Sequence, residues 1–122
     1  MGMILKELGR TTAYITGTAA GTANTLVTNA ASLDTTISHV VLYNSHTSAI
    51  VVTLCTVPDA AAAVGTADAN DIYWSQSVPA GDTYTVDIPV YLTDTNDTLQ
   101  VYAATADKVN AYAFGFTQAD QS

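Results

Sequence analysis

Strict two-residue alternation is the feature that most narrows what this chain can become. From Thr83 to Ile88, Tyr84, Val86 and Ile88 point one way and Thr83, Thr85 and Asp87 the other. That period belongs to a strand with one dry and one wet side. Pro79-Ala80-Gly81-Asp82 precedes it as a turn: proline presets φ, glycine accepts positive φ, and aspartate bonds back to its own backbone. Asp94-Thr95-Asn96-Asp97 makes a second turn, after which Leu99, Val101 and Ala103 alternate with Gln100, Tyr102 and Ala104.

The rest of the chain is similar material. The first 34 residues carry a weak strand over Thr11–Thr18 around Tyr14 and Ile15, a short one over Thr25–Thr28, and a turn over Asn29–Asp34. Thr35–Asn44 and Ala49–Val57 are strong strands, and the polar turn Asn44–Ser48 between them predicts a hairpin. Pro58 ends the second, because proline cannot donate to a ladder. Asp59–Asn70 reads as a loop, Asp71–Ser77 as a strand with Ile72 and Trp74 on one face, and Lys108–Thr117 as the closing strand. There Tyr112, Phe114 and Phe116 face away from Ala111, Ala113 and Gly115; Gln118–Ser122 is a polar tail. The expected fold is all-β, a β-sandwich (jelly-roll or Greek-key like) of about eight short strands. Met1–Arg10 stands apart as a short helix or extended arm, so the expected organisation is an arm over Met1–Arg10 and one domain over Thr11–Ser122.

Composition supports this. At 122 residues the chain has the length of one domain, and its 48% apolar content is far too high for a disordered chain. Abundant Thr and seven Tyr favour a pleated surface. The net charge is −8, with Lys6, Arg10 and Lys108 the only Lys or Arg. Nucleic-acid binding needs clustered cations and is not expected; anionic membranes are disfavoured for the same reason. Neither a leader nor a membrane span is read in the sequence, so the expected protein is made in a cytoplasm and stays soluble. A single Cys55 forms no internal disulfide and reads as a small hydrophobe.

Catalytic chemistry is not legible. His39 and His46 lack a third fixed ligand for zinc, and no G-x-S-x-G elbow or glycine-rich phosphate loop is present. Asp94–Asp97 has the oxygens of part of a calcium loop, with Asp107 or Asp71 as further ligands; a plain turn accounts for the same four residues. Trp74 and Tyr84 are expected in the core. Tyr73, Tyr91 and Tyr102 are expected at the surface, where an interface ranks above a sugar platform. With the apolar arm residues Met3, Ile4, Leu5 and Leu8, and with Arg10, they make the candidate interface set. No enzyme, cofactor or metal is expected.

H-V-V-L-Y-N-S (His39–Ser45), V-V-T-L-C-T-V-P (Val51–Pro58), I-Y-W-S-Q-S-V-P-A-G-D-T-Y (Ile72–Tyr84) and D-T-L-Q-V-Y-A (Asp97–Ala103) together resemble small β-sandwich proteins of tailed bacteriophage particles. The resemblance spans roughly residues 36 to 116. It implies a virion structural protein without catalysis: a capsid decoration or cement protein bound to the major capsid protein, a trimer made in the bacterial cytoplasm and located on the capsid surface. The alternatives are a tail, neck or baseplate component, a receptor-binding module, and, from another class, a calcium-dependent carbohydrate-binding module.

Overall fold

The alternation seen in the sequence becomes nine strands in the computed structural model, which describes residues 5–58 and 71–119. They are β1 (Lys6–Arg10), β2 (Asn24–Thr28), β3 (Leu33–Asn44), β4 (Ile50–Val57), β5 (Ile72–Val78), β6 (Thr83–Val86), β7 (Val90–Leu92), β8 (Thr98–Ala103) and β9 (Val109–Ala119). The expected loop over Asp59–Asn70 falls outside the described residues, as do residues 1–4 and 120–122.

Two antiparallel sheets form a β-sandwich. One runs β1-β9-β3, with β6 and β7 both on the far side of β3; the other runs β2-β8-β4-β5. The pairs β4:β5, β3:β6/β7, β2:β8 and β1:β9 are nested, as in one long ribbon doubled between β4 and β5 and rolled up. This is the jelly-roll order, and rolling pairs most strands on both sides. β6 faces Val40–Tyr43 and β7 faces Thr35–Ile37, so the two are one broken strand. The break is Asp87-Ile88-Pro89, where a proline cannot serve the ladder. Ile88, expected on the dry face, is exposed at that break.

Hydrophobic side chains from both sheets fill the space between them. Ile37, Val40, Leu42 and Val86 meet Val52, Leu54, Leu99 and Val101, all almost fully buried. Each such side chain contributes roughly 1.5–3 kcal/mol. In β3, Ile37 and Val40 are three apart yet both buried, which breaks the two-residue period. A bulge at Ser38 accounts for it: Ile37 pairs with Gly115 and His39 with Phe114, leaving Ser38 as the extra residue.

The structure corrects the sequence reading in two places. Thr11–Thr18 is not a strand. It crosses between the sheets, held by Thr11 N–H to Ala111 O (3.0 Å), Ile15 N–H to Val109 O (2.7 Å) and Ala103 N–H to Gly17 O (3.1 Å). Before it, Lys6–Arg10 takes the extended one of the two forms expected there and is β1, the edge strand on β9. Second, β3 and β4 are not a hairpin but belong to opposite sheets. The reason lies in buried Asn44. Its Nδ2 donates to Ser48 O and Val78 O (both 3.0 Å), and its Oδ1 accepts from His46 N–H at 2.9 Å. Its own N–H donates to Asp82 O. The polar turn is thereby satisfied by groups on the crossing path and not by a facing strand.

The turns follow their chemistry. Gly81 has φ +67° and Asp82 Oδ1 accepts from Thr83 N–H at 3.0 Å. Asn96 takes φ 68°, and Asp97 Oδ2 accepts from Asp94 N–H at 3.1 Å, so the Asp94–Asp97 run is bonded locally as a turn.

Removing the Asn44 amide should be costly. Asn44→Ala is expected to lower stability by about 3 kcal/mol in urea unfolding, because buried carbonyls lose their donor. Gly115→Ala is expected to cost a similar amount, about 3 kcal/mol, because a Cβ there collides with the Thr36 carbonyl oxygen and lies 2.9 Å from Ile37 Cα.

Candidate functional site

The last strand is built small on one side and large on the other. Ala111 and Ala113 turn inward and are fully buried, and at Gly115 even a Cβ would find no room. Tyr112, Phe114 and Phe116 must therefore turn outward, since successive side chains on a strand alternate faces. The eleven rungs between β3 and β9 bring further residues beside them: Val41 opposite Tyr112, His39 opposite Phe114, Thr36 opposite Phe116, and Tyr43 opposite Asn110. The His39 and Phe114 rings stack with centroids 5.0 Å apart and planes 19° from parallel. Ser38 Oγ lies 2.7 Å from His39 Nδ1 and steadies the imidazole.

Both margins of this face continue it. On β1, the Arg10 guanidinium lies over the Tyr112 ring, 5.2 Å from its centroid. It is paired with Glu7 at 2.8 Å, and that hydrogen-bonded carboxylate holds Arg10 above its ordinary pKa. On β7, Tyr91 is opposite Thr36 and 66% exposed. Tyr43 is 39% exposed. The four-stranded sheet covers the inner face; among the described residues no strand lies over the outer one.

The residues expected to form an interface are divided between the two sheets. Arg10 and Tyr91 belong to the aromatic face, and Leu5, 53% exposed, immediately precedes β1. Leu8, at the β1 bulge, packs on the core. Met3 and Ile4 lie outside the described residues. Tyr73 and Tyr102 lie on the other sheet, on β5 and β8, and both are only partly exposed. Tyr102 rests against Cys55 and Val57. The Tyr73 hydroxyl is buried with no hydrogen-bond partner, and burial pushes its pKa well above the usual 10.0, with Cys55 adding to the effect. Trp74 is buried and Tyr84 packs beside it, ring centroids 5.6 Å apart, as expected of core residues.

Tyr112, Phe114 and Phe116 were expected on one side of the closing strand and His39 within the strand Thr35–Asn44, but none of them, nor Tyr43, was placed in the interface set. The signal that could have put them there is the same A-Y-A-F-G-F (Ala111–Phe116), whose small positions leave the large ones outside if the small side faces the core.

Among the described residues, shallow clefts flank the sandwich. One, about 320 Å³, is lined by Thr56, Pro58, Asp71, Tyr91, Asp97 and Thr98. The other, about 330 Å³, lies beside Trp74, Gln76, Tyr84 and Asp87. Neither lining contains a histidine or a cysteine. Among the described residues no group of three or more His, Cys, Asp or Glu is placed to hold a metal ion, and no helix is long and apolar enough to cross a membrane.

No protein-family model matches the chain, and no curated protein does. Several solved structures are similar in architecture. A structure of Bacillus endospore appendages, described as disulfide-linked pili, is 14% identical over 99% of this chain and 93% of that one, with a TM-score of 0.44. The cyanophage Pam1 capsid asymmetric unit is 16% identical over 94% of this chain and 86% of that one, with a TM-score of 0.44. A Clostridium thermocellum xylanase 10B with CBM22-1 and GH10 modules is 10% identical over 98% of this chain but only 25% of that one, with a TM-score of 0.46. At these values none of the likenesses bears on what this chain does.

Substitutions should separate the outer face from the core. Phe114→Ala is expected to cost about 1 kcal/mol, the scale of a cross-strand pair, whereas Ile37→Ala should cost about 4 kcal/mol; urea unfolding of both variants checks the ratio. Tyr73→Phe is expected to stabilise by about 1 kcal/mol, since it removes a buried hydroxyl without a partner. The folded Tyr73 pKa is raised, so its stability contribution is intact below the unfolded pKa of 10.0 and is lost as pH rises above it. The variant should lose that alkaline decline, and an ultraviolet titration should lose its last-ionising tyrosine.

Proposed function

We propose that this chain is a non-enzymatic structural protein of a virion, a decoration or cement subunit that associates with its own kind and seats on a lattice of major capsid protein. One observation carries the reading: a broad aromatic face, formed by Tyr43, Tyr112, Phe114 and Phe116 around His39, on a chain of net charge −8. Tyr43 is exposed and the three β9 rings are half-buried; a contiguous apolar patch left open to this degree marks a surface that is covered in use. The phage-like strand and turn sequences between residues 36 and 116 favour a virion as the setting, and jelly rolls recur in viral shells; the fold alone gives no function. In this reading Leu5, Arg10 and Tyr91 extend the aromatic contact surface, Tyr73 and Tyr102 contribute from the other sheet, and the protein is made in the bacterial cytoplasm before it joins the capsid surface.

A second reading has one observation in its favour. Tyr91 shares the lining of the 320 Å³ cleft with Asp71 and Asp97, and an exposed ring in a cleft with carboxylates suits a sugar. It would make the chain a carbohydrate-binding module.

Immunogold labelling of purified particles tests the first reading. Gold over the heads is the expected result. Gold confined to tails or necks would move the protein to the tail, and particles without gold, with the antibody shown to bind the free protein, would remove the virion role. For the second reading, slowed migration in polysaccharide gels that Tyr91→Ala abolishes would put sugar binding first.

A further inference from the structure

We infer that the outer face of the five-stranded sheet closes on a second copy of this chain, face to face, in a twofold dimer; this deepens the assembly reading above and names the partner of its aromatic face. The inference stands on the size of the face and on where the charge lies.

The size fits. β9 has eleven residues and the face is four strand rows wide, β1, β9, β3 and β6/β7. With β1 at five residues, β3 at twelve and β6 and β7 at four and three, about 3.3 Å per residue and about 4.8 Å per row give roughly 550 Å². Two such faces bury about 1,100 Å² together, above the roughly 1,000 Å² that a specific interface must clear. A flat sheet face also meets its like well: sheets pack face to face about 10 Å apart with interdigitating side chains, as in the interior of a sandwich.

The charge selects the partner. Six acidic residues, Asp71, Asp82, Asp87, Asp94, Asp97 and Asp107, lie outside the strands, in turns and connections. On the aromatic face Glu7 is neutralised by Arg10, and Asp34 sits at one end, opposite Gln118. A basic partner would be drawn to the turns. A copy carrying the same net charge of −8 is repelled by them. The near-neutral aromatic face is where two such copies approach with least repulsion, and the desolvated rings supply the attraction.

Sedimentation equilibrium of the full chain over a concentration series is the test. The expected result is twice the chain's 12.7 kDa, with the dimer tightening as salt is raised, because salt screens the repulsion between acidic copies. Phe114→Asp should weaken the dimer roughly a hundred-fold or more, since a twofold interface meets each substitution twice. Tyr43→Asp, at a more exposed position, should weaken it in the same direction, and circular dichroism should show both variants folded. Val51→Asp, on an exposed position of the other sheet, should leave it intact.

A wild-type monomer at every concentration overturns the inference. So does a trimer, because a self-complementary face closes at two copies, and so does a dimer that only Val51→Asp splits. A monomer that binds purified capsids through Phe114 also overturns it, and assigns the face to the capsid. The virion reading is judged separately, by particle labelling: a dimer with unlabelled particles leaves the docking inference standing and removes that reading, and a labelled particle with a monomeric protein does the reverse.

Discussion

The backbone of β9 comes so close to β3 that no side chain fits between it and the Thr36 carbonyl at Gly115. Much of the molecule follows from that approach. With Ala111 and Ala113 also turned inward, the middle of the five-stranded sheet contributes little bulk to the core. The bulk comes from Ile37, Val40 and Leu42 on β3 and from Leu54, Leu99 and Val101 on the facing sheet. The bulge at Ser38, beside Gly115, lets two of those β3 residues reach the core and turns His39 outward onto Phe114. Core packing and surface character are thus two consequences of one constraint: what β9 cannot place inside, it presents outside.

The ends of the sandwich are closed by amides. Asn44 ties the end of β3 to the Val78 and Ser48 carbonyls. Before the start of β3, Asn29 donates to Leu33 O and Asp94 O and accepts from Thr35 Oγ1 at 2.6 Å. Both asparagines are fully buried. A buried amide is tolerated only when its donors and acceptor are met, so each is committed to one arrangement of the connections around it. In a rolled ribbon, where consecutive strands lie in different sheets, such groups hold the crossings that hydrophobic packing alone would leave interchangeable.

Charge and apolar surface are segregated. The turns carry most of the acidic groups, while the broad face of β3 and β9 carries rings, one compensated ion pair and, at its end, Asp34. His39 is occupied in a ring stack, and Cys55 is buried on the other sheet. The structural role proposed for the chain rests on this division of its surface.

Period and turn chemistry by themselves determined the β class, most strands, and the two faces of each. Thr83 onward, Leu99–Ala103 and Val109–Thr117 lie in strands, and Gly81 and Asn96 turn the chain as their residue types suggest, because these are local properties of neighbouring residues. Which face of β9 lies inside was decided only in the folded sandwich, since alternation is symmetric and reads the same from either side. The separation of β3 from β4 was decided there too: Asn44 looks like a turn residue until Val78 and Asp82, more than thirty positions away in sequence, come up to meet it. Tyr73 makes the same point. Its strand was legible, but Tyr73 falls at a bulge in the β4–β5 register between Trp74 and Ile72, and such a shift belongs to a pair of strands and not to either sequence alone.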